Sequence, residues 1–401
     1  MAYALSQFHR LSMAAIGTNL MADFHIGATE LGLLGSLYFY AYALMQIPVG
    51  IAIDRWGVRR LLSSLSLVAA LGSLIFALAP SYAFLAIGRI MVGLGVSSTF
   101  MCGLALILAW FPARDAALWN GLFIGLAYIG SLLAGRPLID LSEAIGWSGS
   151  FLISSGLLAL IAAGAWVLVR DGPEDQGGIP STQGKVSSYE ELRSNLGQVA
   201  RNPLVWCVSA GGFLIAGSQL TFQAIWAGPF LRDVYALSPA IIGNMLVLMS
   251  LGRIAGNVTQ GWFADRVLKS RLAALFVGEI GTVLAWVALA TTTAGISQLG
   301  LGAVYCGGFG YLAASFMLVF PILRTRFSPE IANTAIGVVN LFTMLGGAII
   351  QQLFGILLDR FTPANGIYPV EAYQLAFGVG LGLAAAGVLL WAVVLGPRKA
   401  N

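Results

Sequence analysis

Runs of about 20 apolar residues follow one another along this sequence, and the short segments between them hold almost all of the charge. A run of that length spans the hydrocarbon of a bilayer as a helix, the one linear element that satisfies its own backbone groups there. Twelve such runs lie near 1–22, 30–52, 60–79, 82–109, 117–139, 148–170, 203–229, 238–263, 270–292, 297–323, 332–357 and 371–395. Only 9% of the 401 residues are charged, against about a quarter in soluble domains. The pattern predicts an all-α membrane protein with twelve transmembrane helices. Fifty glycines fit helices packed closely through small residues, above all the strings Gly93/Gly95, Gly121/Gly125/Gly130 and Gly337/Gly346/Gly347.

One long polar interruption, 171–202, divides the chain into an amino-terminal half, 1–170, and a carboxy-terminal half, 203–401. Each half has six runs. Ser188 stands three residues before Glu191, a capping-box spacing that predicts a short surface helix between the halves. Residues 1–22 carry His9 and Arg10 inside their apolar stretch and lack a small-residue cleavage site, so they read as a retained first span. Cys102, Cys207 and Cys306 all fall in apolar runs and form no spaced framework.

Lysines and arginines orient the chain. With the amino terminus in the cytoplasm, 15 of the 21 fall on the cytoplasmic side and two, Arg232 and Arg360, on the other. Arg10, Arg89, Arg136 and Arg253 remain inside spans. Both termini and the linker are therefore expected inside, in a multi-pass protein of the bacterial inner (plasma) membrane. The net charge of +4 follows from this distribution and calls for no nucleic acid.

The halves repeat. Gly50-Ile-Ala-Ile-Asp54-Arg55-Trp-Gly57-Val-Arg59-Arg60 follows the second run, and Gly261-Trp-Phe-Ala-Asp265-Arg266 follows the eighth. Asp54 sits at a helix end beside arginines, where it can cap a neighbouring helix or pair with Arg55 or Arg59, a conformational latch duplicated at Asp265 and Arg266. The first segment matches the loop 2–3 signature of the major facilitator superfamily, with its weaker copy in loop 8–9. Gly88-Arg89-Ile-Met-Val-Gly93-Leu-Gly95 resembles that family's second motif. The resemblance covers the whole chain and implies two pseudo-symmetric six-helix bundles around a cavity that opens alternately to each side. Arg10, Tyr42, Gln46 and Arg89 further resemble the organic-anion (anion:cation symporter) branch. His9 and Ser98 stand where that branch carries its proton-coupling carboxylates.

Charge inside a bilayer is costly, about 2.5 kcal/mol or more for an arginine at the centre, and must face a cavity, a partner or an interface. Arg10 lies near mid-span, ~15 Å from either end, as a fork for a substrate carboxylate or as a structural pair. Arg253, twelve residues before Asp265, is as deep in the other half. It either faces Arg10 across a bound anion or pairs with Glu279. No acid occupies the middle of the first half, so Arg10 and Arg89 lack a carboxylate there and favour an anion. Arg89 reads equally well as a brace. Arg136 pairs with Asp140 at i,i+4. Glu279 is a partner for Arg253 or a proton carrier, and His9 is a titrating group or a hydrogen-bonding brace. Polar side chains for a cavity are drawn from Asn19, Tyr38, Tyr42, Gln46, Gln219, Gln223, Trp226, Asn244, Asn257, Tyr305, Tyr311, Asn340, Gln351 and Gln352, with Tyr42, Gln223, Tyr305 and Asn340 foremost.

The expected function is secondary transport of a small organic anion by a monomer, through proton symport or exchange, with no cofactor or metal. Proton-driven efflux of drugs or metabolites is the alternative. It is disfavoured by Gly135-Arg136-Pro137, which breaks the Gly-Pro of antiporters, and by the missing acid. A non-transporting receptor remains open. An enzyme fits least, because two histidines and no phosphate-binding loop supply no catalytic constellation.

Overall fold

The structure, a computed structural model, describes residues 1–112, 115–172, 197–327 and 329–395. Among them no strand forms, and an isolated bridge joins Ala364 and Ile367. The first half runs α1 (Ala2–Phe24), α2 (Ala28–Leu44), α3 (Gln46–Ala77), α4 (Tyr82–Val96), α5 (Thr99–Trp110), α6 (Ala116–Leu133) and α7 (Arg136–Leu168). The second begins with α8 (Pro203–Thr221), a π-helical turn (Phe222–Trp226) and α9 (Ala227–Tyr235). Then come α10 (Pro239–Trp262), which runs on through a π turn (Phe263–Val267), and α11 (Arg271–Thr291). A broken helix follows: α12 (Gln298–Gly302), a π stretch (Ala303–Tyr311), a 3₁₀ stretch (Leu312–Leu318) and α13 (Val319–Arg324). The long α14 (Pro329–Leu358) and α15 (Val370–Leu395) complete the chain.

Nine helices among the described residues are long and apolar enough to cross a membrane, as an integral multi-pass protein requires. The other three expected runs are helical but fall outside that set. In α1, Ser6, Gln7, His9, Arg10 and Ser12 dilute the apolar surface. Met45 breaks the second run, so α2 has 17 residues. The fifth run stops at Leu133, two residues short of α7. Gly57 and Gly146, both at φ 77°, turn the chain sharply inside what is otherwise continuous helix, which spares a side chain that backbone conformation. Apart from Gly197–Ala200, which are helical, the linker and its Ser188–Glu191 box lie almost entirely outside the described residues.

The halves touch at the end opposite the chain's termini. There α2 lies against α14, α1 against the Phe222–Trp226 turn and α9, and α10 against α6 and α7. The glycine strings divide in two. Gly93, Gly95, Gly130 and Gly346 press on neighbouring backbone and Gly347 meets the Leu220 side chain, whereas Gly121, Gly125 and Gly337 face open space. The Arg136–Asp140 pair forms at i,i+4.

Candidate functional site

A partly open cavity lies between the halves. Three helices present to it the same spacing, i, i+3, i+4, which places side chains on one helical face. These are Gln7, Arg10 and Leu11 on α1, Ala216, Gln219 and Leu220 on α8, and Asn340, Thr343 and Met344 on α14. Tyr128 and Ser131 on α6, Gln223 on the π turn, Arg253 on α10, and Phe316 and Met317 on the 3₁₀ stretch complete the wall.

Two guanidinium groups, one from each half, therefore share one cavity. Arg253 donates from Nη1 to the Ala313 carbonyl at 2.6 Å and from Nη2 to Gln223 Oε1 at 3.5 Å. Arg10 lies over the Tyr42 ring, 5.2 Å from its centroid, a cation–π contact. Its buried Nε has no hydrogen-bond partner. Among the described residues no carboxylate comes within ion-pair distance of either arginine. The cavity is thus a low-dielectric space with two cations and a ring of neutral amides and hydroxyls. Such a space attracts an anion able to accept forked N–H donors.

Several other residues singled out from the sequence lie elsewhere. Tyr42 and Gln46 stack behind Arg10, Tyr42 through its ring and Gln46 by donating from Nε2 to the Tyr42 carbonyl at 3.3 Å. Arg89 is fully buried, donates to the carbonyls of His9 at 3.0 Å and Leu34 at 3.4 Å, and lies over the Tyr38 ring. These contacts brace α4 against α1 and α2. His9 points away from the cavity: its Nε2 meets Ser154 Oγ at 2.8 Å and its ring packs on Phe151. Tyr305 is buried and donates to the Ala227 carbonyl at 2.8 Å, fixing the broken helix to α9. Glu279 is buried one residue behind the wall, receiving hydrogen bonds from Gln219 Nε2 at 2.8 Å and Ser315 Oγ at 3.1 Å. Gln219, Gln223 and Asn340 reach the cavity.

Of the expected latch residues, the Asp54 side chain lies outside the described residues. Gly57 turns beside the Asp171 carboxylate, which accepts the Arg59 backbone N–H at 2.8 Å. The Arg59 guanidinium donates to the Trp166 carbonyl at 2.6 Å and covers the Trp166 ring. Gly50 meets no neighbour, and Arg55 is exposed. Asp265 forms a two-pronged ion pair with Arg271 at 2.9 and 3.0 Å, beside an exposed Arg266.

At the opposite end the structure adds a contact that the sequence reading missed. Asp359, just past α14, accepts the backbone N–H groups of Ala28 at 3.0 Å and Thr29 at 2.7 Å, and so caps α2 from the other half of the chain. Tyr368 donates to the same carboxylate and accepts from Ala28 N at 2.9 Å. A signal existed. Gly355-Ile-Leu-Leu-Asp359-Arg360 is a third Gly-x-x-x-Asp-Arg, and a Cβ on Gly355 would strike the Ala28 carbonyl. Gln7, Tyr128, Ser131 and Thr343 were also missed at the cavity. For Gln7 the clue was its position three residues before Arg10. Among the described residues no group of three His, Cys, Asp or Glu side chains could hold a metal ion.

Comparison with known proteins finds membrane transporters similar to this chain. The Hexuronate transporter of Escherichia coli (strain K12) is 24% identical over 410 residues, covering 97% of this chain and 91% of its own length. The protein named Probable sulfoacetate transporter SauU, from Cupriavidus necator, is 21% identical over 405 residues, covering 96% and 90%. A crystal structure of a bacterial homolog of the human lysosomal transporter Spinster, inward-facing and occupied, shares the fold. Its TM-score is 0.72 at 18% identity, covering 98% of this chain and 93% of that one. The Major Facilitator Superfamily profile matches residues 2–351. The described helices, the paired Gly-x-x-x-Asp-Arg turns and this match together make the chain a member of the major facilitator superfamily of membrane transporters.

Proposed function

We propose that this chain carries a small organic anion, a carboxylate, across the membrane by alternating access, driven by proton symport or by exchange. In this reading twelve helices form two six-helix halves, 1–170 and 203–401. Both termini face the cytoplasm of a bacterial cell, and the protein works as a monomer. Arg10 and Arg253 take the anion between them, with Gln223 and Asn340 on its polar groups. Tyr42 and Gln46 hold Arg10 in place, and Arg89 acts as a brace.

The observation that carries this reading is the pair of cavity arginines, contributed by opposite halves and without a carboxylate at ion-pair distance among the described residues. A substrate carboxylate between them supplies the missing charge. It also draws the halves together, because its contacts strengthen as they approach. Hexuronate and sulfoacetate, named for two relatives, are both small organic anions.

Purified protein in proteoliposomes tests this, with radiolabelled D-glucuronate as probe and unlabelled glucuronate, sulfoacetate, a neutral sugar and an organic cation as competitors. Uptake blocked by the acids alone is the expected result. Arg10→Gln and Arg253→Gln each reduce it by about two orders of magnitude, the scale of losing a buried charge-assisted contact. Unchanged uptake in both variants would falsify the anion clamp.

A further inference from the structure

Glu279 is fully buried, and among the described residues no cation comes within ion-pair distance of it. A carboxylate without surface costs several kcal/mol to keep charged, and two neutral donors offset only part of that. Its partners lead directly to the cavity. Gln219 belongs to the cavity wall. Ser315 lies on the 3₁₀ stretch whose Ala313 carbonyl holds Arg253 and whose Phe316 and Met317 line the wall.

The Gln219 amide is half used. Its Nε2 donates to Glu279 while its Oε1 is buried with no hydrogen-bond partner. This orientation suits an ionised Glu279, which only accepts. A protonated Glu279 has an O–H to donate, and the idle Oε1 is an acceptor in the same amide. Rotating the amide by half a turn satisfies both. It also turns the NH₂ donors away from Glu279, on a side chain that borders the anion space.

We propose that Glu279 is a proton-binding positioning residue for the anion site, and that the Gln219 amide relays its charge state to the cavity. The proposal rests on the anion-carrier reading and gives its coupling a location. A proton arriving through the cavity binds a Glu279 oxygen and cancels one negative charge beside Arg253. The amide turns, and the site gains a donor while losing a repelling charge. Both changes favour an anion, so proton and anion bind together and leave together, the sign that symport requires.

The surroundings contain little else that titrates. Arg253 on α10 is the charged group whose field reaches Glu279, and the field of Arg10 reaches Arg253. The π stretch contributes Tyr305, Cys306 and Tyr311, and α15 contributes Tyr373, which donates to Asp233 Oδ2 at 2.8 Å. Asp265 and Arg266 on the π turn and Arg324 on α13 sit at helix ends, as does Glu371 of α15, and α8 and the 3₁₀ stretch carry no charge.

Two measurements decide the matter. In proteoliposomes, one coupled proton gives the wild type about tenfold more glucuronate accumulation per pH unit of inward gradient. Glu279→Gln, which fixes the neutral form, abolishes that accumulation and makes glucuronate counterflow independent of pH. Glu279→Asp restores the gradient effect with a shifted pH profile. A Glu279→Gln protein that still accumulates glucuronate on a pH gradient overturns the proposal. The second measurement needs no substrate: infrared difference spectra of the purified protein between about pH 9 and pH 5. A protonated-carboxyl band present in the wild type and absent from Glu279→Gln supports the site even if glucuronate is not carried, in which case the anion reading alone fails. An identical band in both proteins rejects Glu279.

Discussion

Two ends of this molecule carry the same Gly-x-x-x-Asp-Arg turn in different circumstances. At the end away from the termini, Gly355 lets α14 lie on the start of α2, and Asp359 closes over two N–H groups of the facing half. At the other end Gly261 faces open space, and Asp265 is paired with Arg271, six residues on at the start of α11. Of these two copies, the Gly355 one is engaged across the halves and the Gly261 one pairs within its own half. The same motif thus docks the halves at one end and makes no such contact at Asp265. Its glycine sets how near the helices come, and its aspartate supplies the cap.

The contrast can be broken most severely at Gly355. Leucine there overpacks against the Ala28 backbone, costing about 2 kcal/mol or more, roughly thirtyfold in the closed-to-open ratio of that end. Spin labels at Ala22 and Thr362 should report a longer distance distribution by pulsed dipolar spectroscopy. A distribution identical to the wild type would remove the glycine from the account. Asp359→Ala is milder. It deletes the cap at about 1 kcal/mol, near a fivefold change with the same labels.

The pH response of this end sharpens the comparison further. Burial by itself would raise the Asp359 carboxyl, but hydrogen bonds from Thr29, Tyr368 and the Ala28 N–H outweigh it and hold the group below its ordinary 3.8. A depressed carboxyl contributes stability above its unfolded value and loses it as pH falls through the folded one. The cap should thus remain intact through neutral and mildly acid conditions, and the label distance should lengthen only below pH 3.8. A change centred near neutrality would point to a different group. The smallest effect belongs to Gly261→Ala. A methyl in open space should shift neither the distances nor the thermal stability by more than about 0.5 kcal/mol. A large shift would mean that this copy is docked too.

Much of this was legible from the residues. Helices were unavoidable once apolar runs of bilayer length were seen, and the Gly50–Arg55 and Gly261–Arg266 turns pointed to the family. Depth along the chain also put Arg10 and Arg253 well inside. The missing pieces share a cause. Arg89 and Arg10 look alike in sequence, each a lone cation in an apolar run. Yet α1 and α2 offer carbonyls to Arg89, whereas Arg10 opens on a cavity. Likewise His9 and Arg10 are adjacent, and the helical turn of about 100° per residue sends one to Ser154 and the other to the cavity.

The sequence by itself determined where polar groups must be sheltered, because the cost of charge in hydrocarbon depends on residue type and depth alone. Only the tertiary structure decided what shelters each one. A carbonyl, an amide or a cavity wall reaches a buried side chain from helices distant in the chain, and the direction in which that side chain points is set by packing that no linear spacing contains.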